Sequence, residues 1–148
     1  MILRKREGKE MQAKVIVKSL ILNRSLKKAL LIRRQDDDEE GGGTWESAGG
    51  KVEENESLEE AIIREIREIR EETGITVSPE RLLYASLGEI NGEKHIFIVY
   101  LCTTNETKAV LSAEHINFRW VDKKECKSLL IGGIAEDYLK FGVYDMEW

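Results

Sequence analysis

The sequence has little of what a membrane, disulfide-rich or zinc protein needs. Its 148 residues include one proline, two cysteines and two histidines. Two cysteines cannot form a disulfide framework, and their spacing to the histidines matches no standard zinc site. No apolar run approaches the roughly 20 residues of a membrane-spanning helix. Hydrophobic residues nevertheless make up 41% of the chain, which is enough for a packed core.

The sequence also lacks an excess of positive charge, since 28 acidic residues outnumber 23 basic ones. The net charge is −5, whereas a protein that binds the phosphate backbone of a nucleic acid needs a basic surface. The N-terminus reads MILRKREGKEMQAK, and it is charged where a signal peptide needs an apolar segment. We therefore expect a cytoplasmic protein with a flexible basic leader over 1–12 and one domain over 13–148. We expect no nucleic-acid or membrane partner.

Apolar runs separated by turn residues predict an α/β domain. The predicted strands cover 13–22, 29–34, 82–90, 94–103 and 116–121. The first two should form a hairpin, and Asn91-Gly92 is a turn signal between the next two. The segment HIFIVYLC alternates only weakly, so we expect that strand to be buried on both faces. Asp122 is predicted to cap a helical region over 123–131, and a second segment is expected near 134–141.

One long helix is predicted over 58–73. Ser57 and Glu60 have the spacing of a capping box, and Gly74 is a typical C-terminal stop. At 100° per residue, four glutamates fall beside the apolar stripe of this helix. They are Glu65, Glu68, Glu71 and Glu72.

Like charges four residues apart destabilise a helix by about 0.2–0.5 kcal/mol per pair, so these acids need a positive partner. Arginines at i,i+4 spacing would make an ordinary solvated, salt-bridged helix. A divalent metal ion is the other candidate, since Mg²⁺ prefers carboxylate oxygens, water and substrate phosphates. The helix alone leaves both possibilities open.

The residues around the helix make a longer pattern. Gly50 and Glu56 precede the helix. Its second half and the two residues after it supply Arg67, Glu68, Ile69, Glu71, Glu72, Gly74 and Ile75. These residues resemble the Nudix box of MutT-like hydrolases, G-x5-E-x7-R-E-U-x-E-E-x-G-U, in which U is aliphatic. The resemblance extends over nearly the whole chain and implies a Nudix α/β/α sandwich with a mixed β-sheet.

The match contains a three-residue insertion. The family has seven residues between its first glutamate and the arginine, whereas ten separate Glu56 from Arg67. An upstream register uses Glu56, Arg64, Glu65 and Glu68, but it places an isoleucine, residue 69, where the family has its last glutamate. A downstream register starts at Arg67 and keeps the full acidic triplet. The sequence favours the downstream register for that reason.

In this register the resemblance implies a site for Mg²⁺, with Mn²⁺ as a possible substitute. The implied metal ligands are Glu68, Glu71, Glu72 and the carbonyl of Gly49. Arg67 would orient a glutamate, and Glu71 or Glu114 would take a proton from the attacking water. The residues expected to contact substrate are Arg34, Gly50 and Lys51.

The implied activity is a Mg²⁺-dependent pyrophosphohydrolase that cleaves a nucleoside diphosphate linked to another group. Nucleoside triphosphates and nucleotide sugars are examples of such substrates. The alternative is a Nudix-fold nucleotide-binding or regulatory module in which the insertion impairs catalysis. We expect a nucleotide as the small-molecule partner and either a monomer or a homodimer.

Overall fold

The computed structural model describes residues 8–34, 43–108 and 115–148. Its strands are β1 (Lys14–Asn23), β2 (Lys28–Arg34), β3 (Trp45–Glu46), β4 (Ala48–Lys51), β5 (Ser78–Ile90), β6 (Glu93–Thr103) and β7 (His115–Val121). Its helices are α1 (Leu58–Thr73), α2 (Lys123–Leu129) and α3 (Gly132–Lys140). Within the described ranges, no helix combines the length and apolar character needed to cross a membrane.

All seven strands belong to one mixed sheet. Its main path runs β3-β2-β1-β6-β5, with β4 paired to β1 and β7 paired to β2. Strand β1 lies parallel to β6 over nine residue pairs, from Lys14↔His95 to Leu22↔Thr103. Its antiparallel contact with β2 is confined to Leu22↔Ala29 and Asn23↔Lys28. The predicted hairpin and the mixed sheet are both confirmed.

Beyond this short contact, β1 and β2 take different partners. Strand β1 pairs with β4, from Ile16↔Lys51 to Ser19↔Ala48, while β2 pairs with β3 at Ile32↔Glu46 and Arg33↔Trp45. The single residue Ser47 separates β3 from β4. The change of partner therefore occurs immediately before the two glycines of β4, and it brings them beside α1.

Two hydrophobic cores form because β1 and β2 are buried on both faces. One core packs α1 residues such as Ile62 and Ile69 against Val17, Ile21 and Ile32. The other contains Leu20, Leu31, Tyr138 and the C-terminal Trp148. Helix α1 thus covers one face of the sheet and α3 the other, which confirms the α/β/α sandwich.

The boundaries of α1 agree with the prediction. Ser57 Oγ accepts from Glu60 N at 3.1 Å, the Glu60 side chain accepts from Ser57 N at 3.4 Å, and Gly74 ends the helix at φ 75°. Glycine is suited to this left-handed conformation because it has no Cβ. The tight turn at Asn91-Gly92 is confirmed, with positive φ at both residues.

Two sequence expectations for β5 and β6 need correction. Strand β5 begins at Ser78 rather than at residue 82. Strand β6 is not buried on both faces, since Ile96, Phe97 and Ile98 are only partly buried. The physical reason is coverage of the sheet faces: α1 packs on β1 and β4, and α2 packs on β2 and β7, so the first half of β6 is covered less fully.

We predict that Ser57→Ala lowers the free energy of unfolding by about 1 kcal/mol, because it removes the N-cap acceptor of α1. Urea unfolding followed by circular dichroism measures this change. Ser128→Ala is the matched control, since the Ser128 hydroxyl is exposed and bonds only the Glu125 carbonyl of its own helix. A loss for Ser57→Ala no larger than that of the control would show that the cap contributes nothing.

Candidate functional site

An ion-pair network lies between α1 and the loop that precedes it, and Arg64 is at its centre. Arg64 Nε and Nη2 donate to the two carboxylate oxygens of Glu56 at 2.7 and 2.9 Å. Nη2 also donates to the Lys51 carbonyl at 2.8 Å. The hydrogen bond from Arg64, followed by one from the Glu53 backbone, lowers the pKa of Glu56 to about 2. The loop after β4 is thereby tied to the first half of α1.

The other amino group of Arg64 contacts two further acids. Nη1 lies 2.9 Å from Glu65 Oε1 and 3.4 Å from Glu68 Oε1. Hydrogen bonding to Glu56 is the largest of the effects that raise the pKa of Arg64. The guanidinium therefore stays charged at any pH the protein meets, and it is a permanent counter-charge for three carboxylates.

Glu65 is the buried member of the group, with 4% of its surface exposed. Burial, and secondly the charge of Glu68, raise the pKa of Glu65 to about 7, against the opposing effect of Arg64. The Glu65 and Glu68 carboxylates are close neighbours, since the same Arg64 nitrogen lies within 3.4 Å of an oxygen of each. Two carboxylates in such contact repel when both are ionised, so a proton or a cation between them is stabilising.

The backbone of β4 lies close to the Glu65 carboxylate of this pair. A Cβ built on Gly50 would lie 2.5 Å from Glu65 Oε1, which is far closer than real carbon–oxygen contacts. A Cβ on Gly49 would collide with the Val17 carbonyl and lie 2.8 Å from the Lys18 α-carbon. Glycine is required at both positions by lack of space rather than by backbone conformation.

Glu65, Glu68 and Glu72 share one face of α1, because positions i, i+3 and i+7 lie within about 60° of each other. Glu68 and Glu72 are partly exposed. Glu71 lies about 120° around the helix from Glu65 and is exposed. Glu71, which the downstream register assigns to the metal, therefore does not lie on the acidic face formed by the other three glutamates.

Arg67 does not take the place that the downstream register implies for it. Its side chain is exposed, and the contacts with neighbouring glutamates are made by Arg64, three residues earlier. Three residues turn a helix by 300°, so the two arginines point about 60° apart. Only the earlier one faces Glu56 and the loop after β4.

Arg34 and Lys51, two further predicted residues, differ in their surroundings. Arg34 Nε lies 2.8 Å from Glu46 Oε1, so this arginine is ion-paired at the end of β2. Lys51 is exposed at the end of β4, and its carbonyl is already bonded to Arg64. Glu114 lies outside the described residues. Trp120 packs against the α1-side core and donates to the Thr107 carbonyl at 2.8 Å.

Two features of the site were missed from sequence. Glu65 was set aside because the downstream register excluded it, although its spacing from Glu56 was the available signal. Lys18 was not considered at all. It is a lysine within the apolar strand β1, and its ammonium lies 3.4 Å from Glu46 Oε2 and 3.3 Å from the Ser47 carbonyl.

The donor set at this site fits Mg²⁺. Among the described residues, no three His, Cys, Asp or Glu side chains are close enough to hold a metal ion together. Mg²⁺, however, is usually bound by one or two carboxylates and completes its shell with water and substrate phosphates. Glu65 and Glu68 supply two adjacent carboxyl groups, and the raised pKa of Glu65 marks a place where added positive charge is favourable.

Comparison with known proteins identifies the family. The sequence profile of the NUDIX domain matches residues 13–140. No curated protein sequence matches the chain. The crystal structure of a MutT protein from Methanosarcina mazei is 29% identical, with a TM-score of 0.78, and the match covers 95% of this chain and 100% of that one.

Two further solved structures are similar. A MutT Nudix hydrolase from Burkholderia pseudomallei is 26% identical, with a TM-score of 0.67 and coverage of 87% of this chain and 97% of that one. An Ap4A hydrolase from C. elegans is 20% identical, with a TM-score of 0.70 and coverage of 89% and 97%. The chain therefore belongs to the Nudix family of hydrolases, which act on phosphoanhydride bonds.

We predict that Gly50→Ala displaces the Glu65 carboxylate, because the new methyl group would occupy its position. Overpacking of this kind costs about 1–3 kcal/mol, and hydrolysis should fall at least tenfold because misplacement by about 1 Å is enough to do so. Gly133→Ala is the control, since no heavy atom lies within 4 Å of its Cβ position. Equal activity in both variants would contradict the close packing of Gly50 on Glu65.

Proposed function

We propose that the protein is a divalent-metal-dependent pyrophosphohydrolase that cleaves a nucleoside diphosphate linked to another group. The observation that carries this proposal is the carboxyl pair of Glu65 and Glu68, which Arg64 contacts together and of which Glu65 lies against Gly50. Family membership supplies the reaction class, and the acidic pair on a helix beside a glycine turn supplies a place for the metal and the substrate phosphates.

We further propose the upstream register of the Nudix box. Glu56 and Arg64 are separated by seven residues, as in the family pattern, and they form the shortest ion pair of the network, with two hydrogen bonds. Glu65 and Glu68 then follow as the first two acids of the second half. Isoleucine fills the third acidic position, and Ile69 is buried in the core. Glu72, one turn beyond Glu68, extends the same acidic face.

The residues have distinct roles in this proposal. Glu65 and Glu68, with the Gly49 carbonyl, would hold the metal ion. When bound, the ion would neutralise diphosphate oxygens and lower the pKa of a water molecule. Arg64 would keep Glu65 in place rather than touch the substrate, because its donors are already used within the protein. Of the two proposed proton acceptors, Glu71 faces away from the pair, so we assign that role to Glu114.

Family membership supports a nucleotide with a phosphoanhydride bond as the general type of substrate. The Ap4A hydrolase among the similar structures acts on a dinucleoside polyphosphate, as its name states, but at 20% identity that likeness supports only the fold. A panel of nucleoside triphosphates, nucleotide sugars and dinucleoside polyphosphates, tested with Mg²⁺ and followed by chromatography of the products, decides the class. The proposal fails if no member of the panel is cleaved.

A second candidate function is a nucleotide-binding module with impaired catalysis. The observation in its favour is Ile69, which stands in the third acidic position and removes one carboxylate from the site. Nucleotide binding in the presence of Mg²⁺ without detectable turnover would support this alternative over the hydrolase.

Glutamate-to-glutamine substitutions test the register. We predict that Glu65→Gln and Glu68→Gln each lower kcat by about 10²-fold or more, because each removes a charge from the metal site. Glu71→Gln should change kcat less than threefold and is the matched control on the same helix. If Glu71→Gln were the damaging variant, the downstream register would be correct.

Metal binding is also expected to stabilise the fold. A ligand that binds only the native state adds about 2.7 kcal/mol at a hundred times its Kd, so millimolar Mg²⁺ or Mn²⁺ should raise Tm. Differential scanning fluorimetry measures the shift, with NaCl at equal ionic strength as the control. A shift that is the same in Glu65→Gln as in the unmodified protein would place the ion elsewhere.

A further inference from the structure

Two adjacent side chains of β1 hold the beginning of β4. Lys18 Nζ donates to the Ser47 carbonyl at 3.3 Å and to Glu46 Oε2 at 3.4 Å. Ser19 Oγ donates to the Ala48 carbonyl at 3.1 Å. Because consecutive residues of a strand point to opposite faces, the two bonds hold consecutive carbonyl groups from opposite sides of the sheet.

Ser47 and Ala48, whose carbonyl groups are bonded by these side chains, are followed directly by Gly49 and Gly50. Gly49 lies opposite Lys18 and Gly50 opposite Val17 in the antiparallel pairing of β1 with β4. The absence of space for a Cβ at Gly49 shows that the two backbones approach closely there. One residue further on, Gly50 touches the Glu65 carboxylate. A continuous set of contacts thus joins Lys18 and Ser19 to the carboxyl pair.

Lys18 is an unusual residue for this position. Its side chain is 15% exposed and that of Glu46 is 17% exposed, and its neighbours on β1 include the buried residues Val17 and Leu20. Burying a charged group costs free energy unless it is paired. An apolar side chain would satisfy the strand at lower cost, so the fold alone does not explain a lysine here.

We propose that Lys18 and Ser19 are positioning residues, which fix the segment Ser47–Gly50 against Glu65 and so set the place of the metal-binding carboxylates. They touch neither the substrate nor the metal, and they act through the backbone of β4. The catalytic consequence rests on the proposed function, whereas the positioning itself does not.

Hydrogen exchange tests the positioning without metal or substrate. In Lys18→Met and Ser19→Ala, the backbone amides of Ala48–Lys51 should exchange about tenfold faster, and Lys18→Arg should restore slow exchange by keeping a charged donor. Lys14→Met is the matched control on the same strand, since Lys14 is exposed and pairs with Glu93 at 2.8 Å. Unchanged exchange in both test variants, or an equal increase in the control, overturns the proposal.

Calorimetric titration with Mn²⁺ alone tests the consequence for the site. Loss of groups that orient metal ligands typically weakens metal binding 10- to 100-fold, so Lys18→Met should raise the Kd for Mn²⁺ about tenfold. In hydrolysis, kcat should fall about tenfold with KM changed less than threefold, because the substrate contacts are untouched. Lys18→Arg should stay within threefold of the unmodified protein in both measurements.

The remaining outcomes are decisive. Faster exchange with unchanged Mn²⁺ affinity and unchanged kcat would show that Lys18 only stabilises β4, and would overturn the proposal. If the unmodified protein binds no Mn²⁺ and cleaves no nucleotide, the proposed function fails, and the exchange measurement alone decides whether Lys18 and Ser19 position the segment.

Discussion

The guanidinium of Arg64 is the group on which the geometry of the site depends. It bonds a carboxylate in the loop before α1, a carbonyl at the end of β4 and two carboxylates on α1 itself. Only arginine can do this, since its planar fork presents five donors in fixed directions while keeping its charge. A lysine at residue 64 could satisfy one or two of these partners but could not join all three segments.

The network permits a carboxylate to be buried where burial is otherwise costly. An isolated ionised carboxylate is strongly disfavoured in a low-dielectric environment, and Glu65 responds with a raised pKa. Other residues of α1 offset part of this free-energy cost. Ile62 and Ile69 pack the helix against the sheet, and Ser57 caps its first turn. The stable parts of α1 thus hold in place a group that favours an added cation.

The proposed upstream register gives the three extra residues a definite location in α1. In that register, the first half of the box keeps the family spacing from Glu56 to Arg64, and the additional turn would lie between Glu68 and Gly74. It lengthens α1 by about 4.5 Å at the end away from the network. The loop after β4 would then need no change, and the differences from the family would lie in the second half of the box, beginning with Ile69 in the third acidic position.

Sequence reasoning determined the class of fold, the bounds of α1 and the chemistry of its acidic face. These are local properties: the capping box at Ser57, the stop at Gly74 and the 100° periodicity each depend on neighbouring residues alone. The correction to β6 concerns burial, which depends on what packs against the faces of a strand, whereas the correction to β5 concerns its first residue, which pairing with β6 fixes.

Which arginine organises the acids could be decided only by the tertiary structure. Arg64 and Arg67 both begin an Arg-Glu-Ile segment, and the sequence signals conflict, since the spacing from Glu56 favours Arg64 whereas the acidic triplet favours Arg67. The distinction arises because Glu56 and the Lys51 carbonyl lie on one side of the folded helix. The same is true of Lys18, whose partners Glu46 and Ser47 are nearly thirty residues away. Periodicity determines which side chains share a face, but contacts between distant segments determine what each face meets.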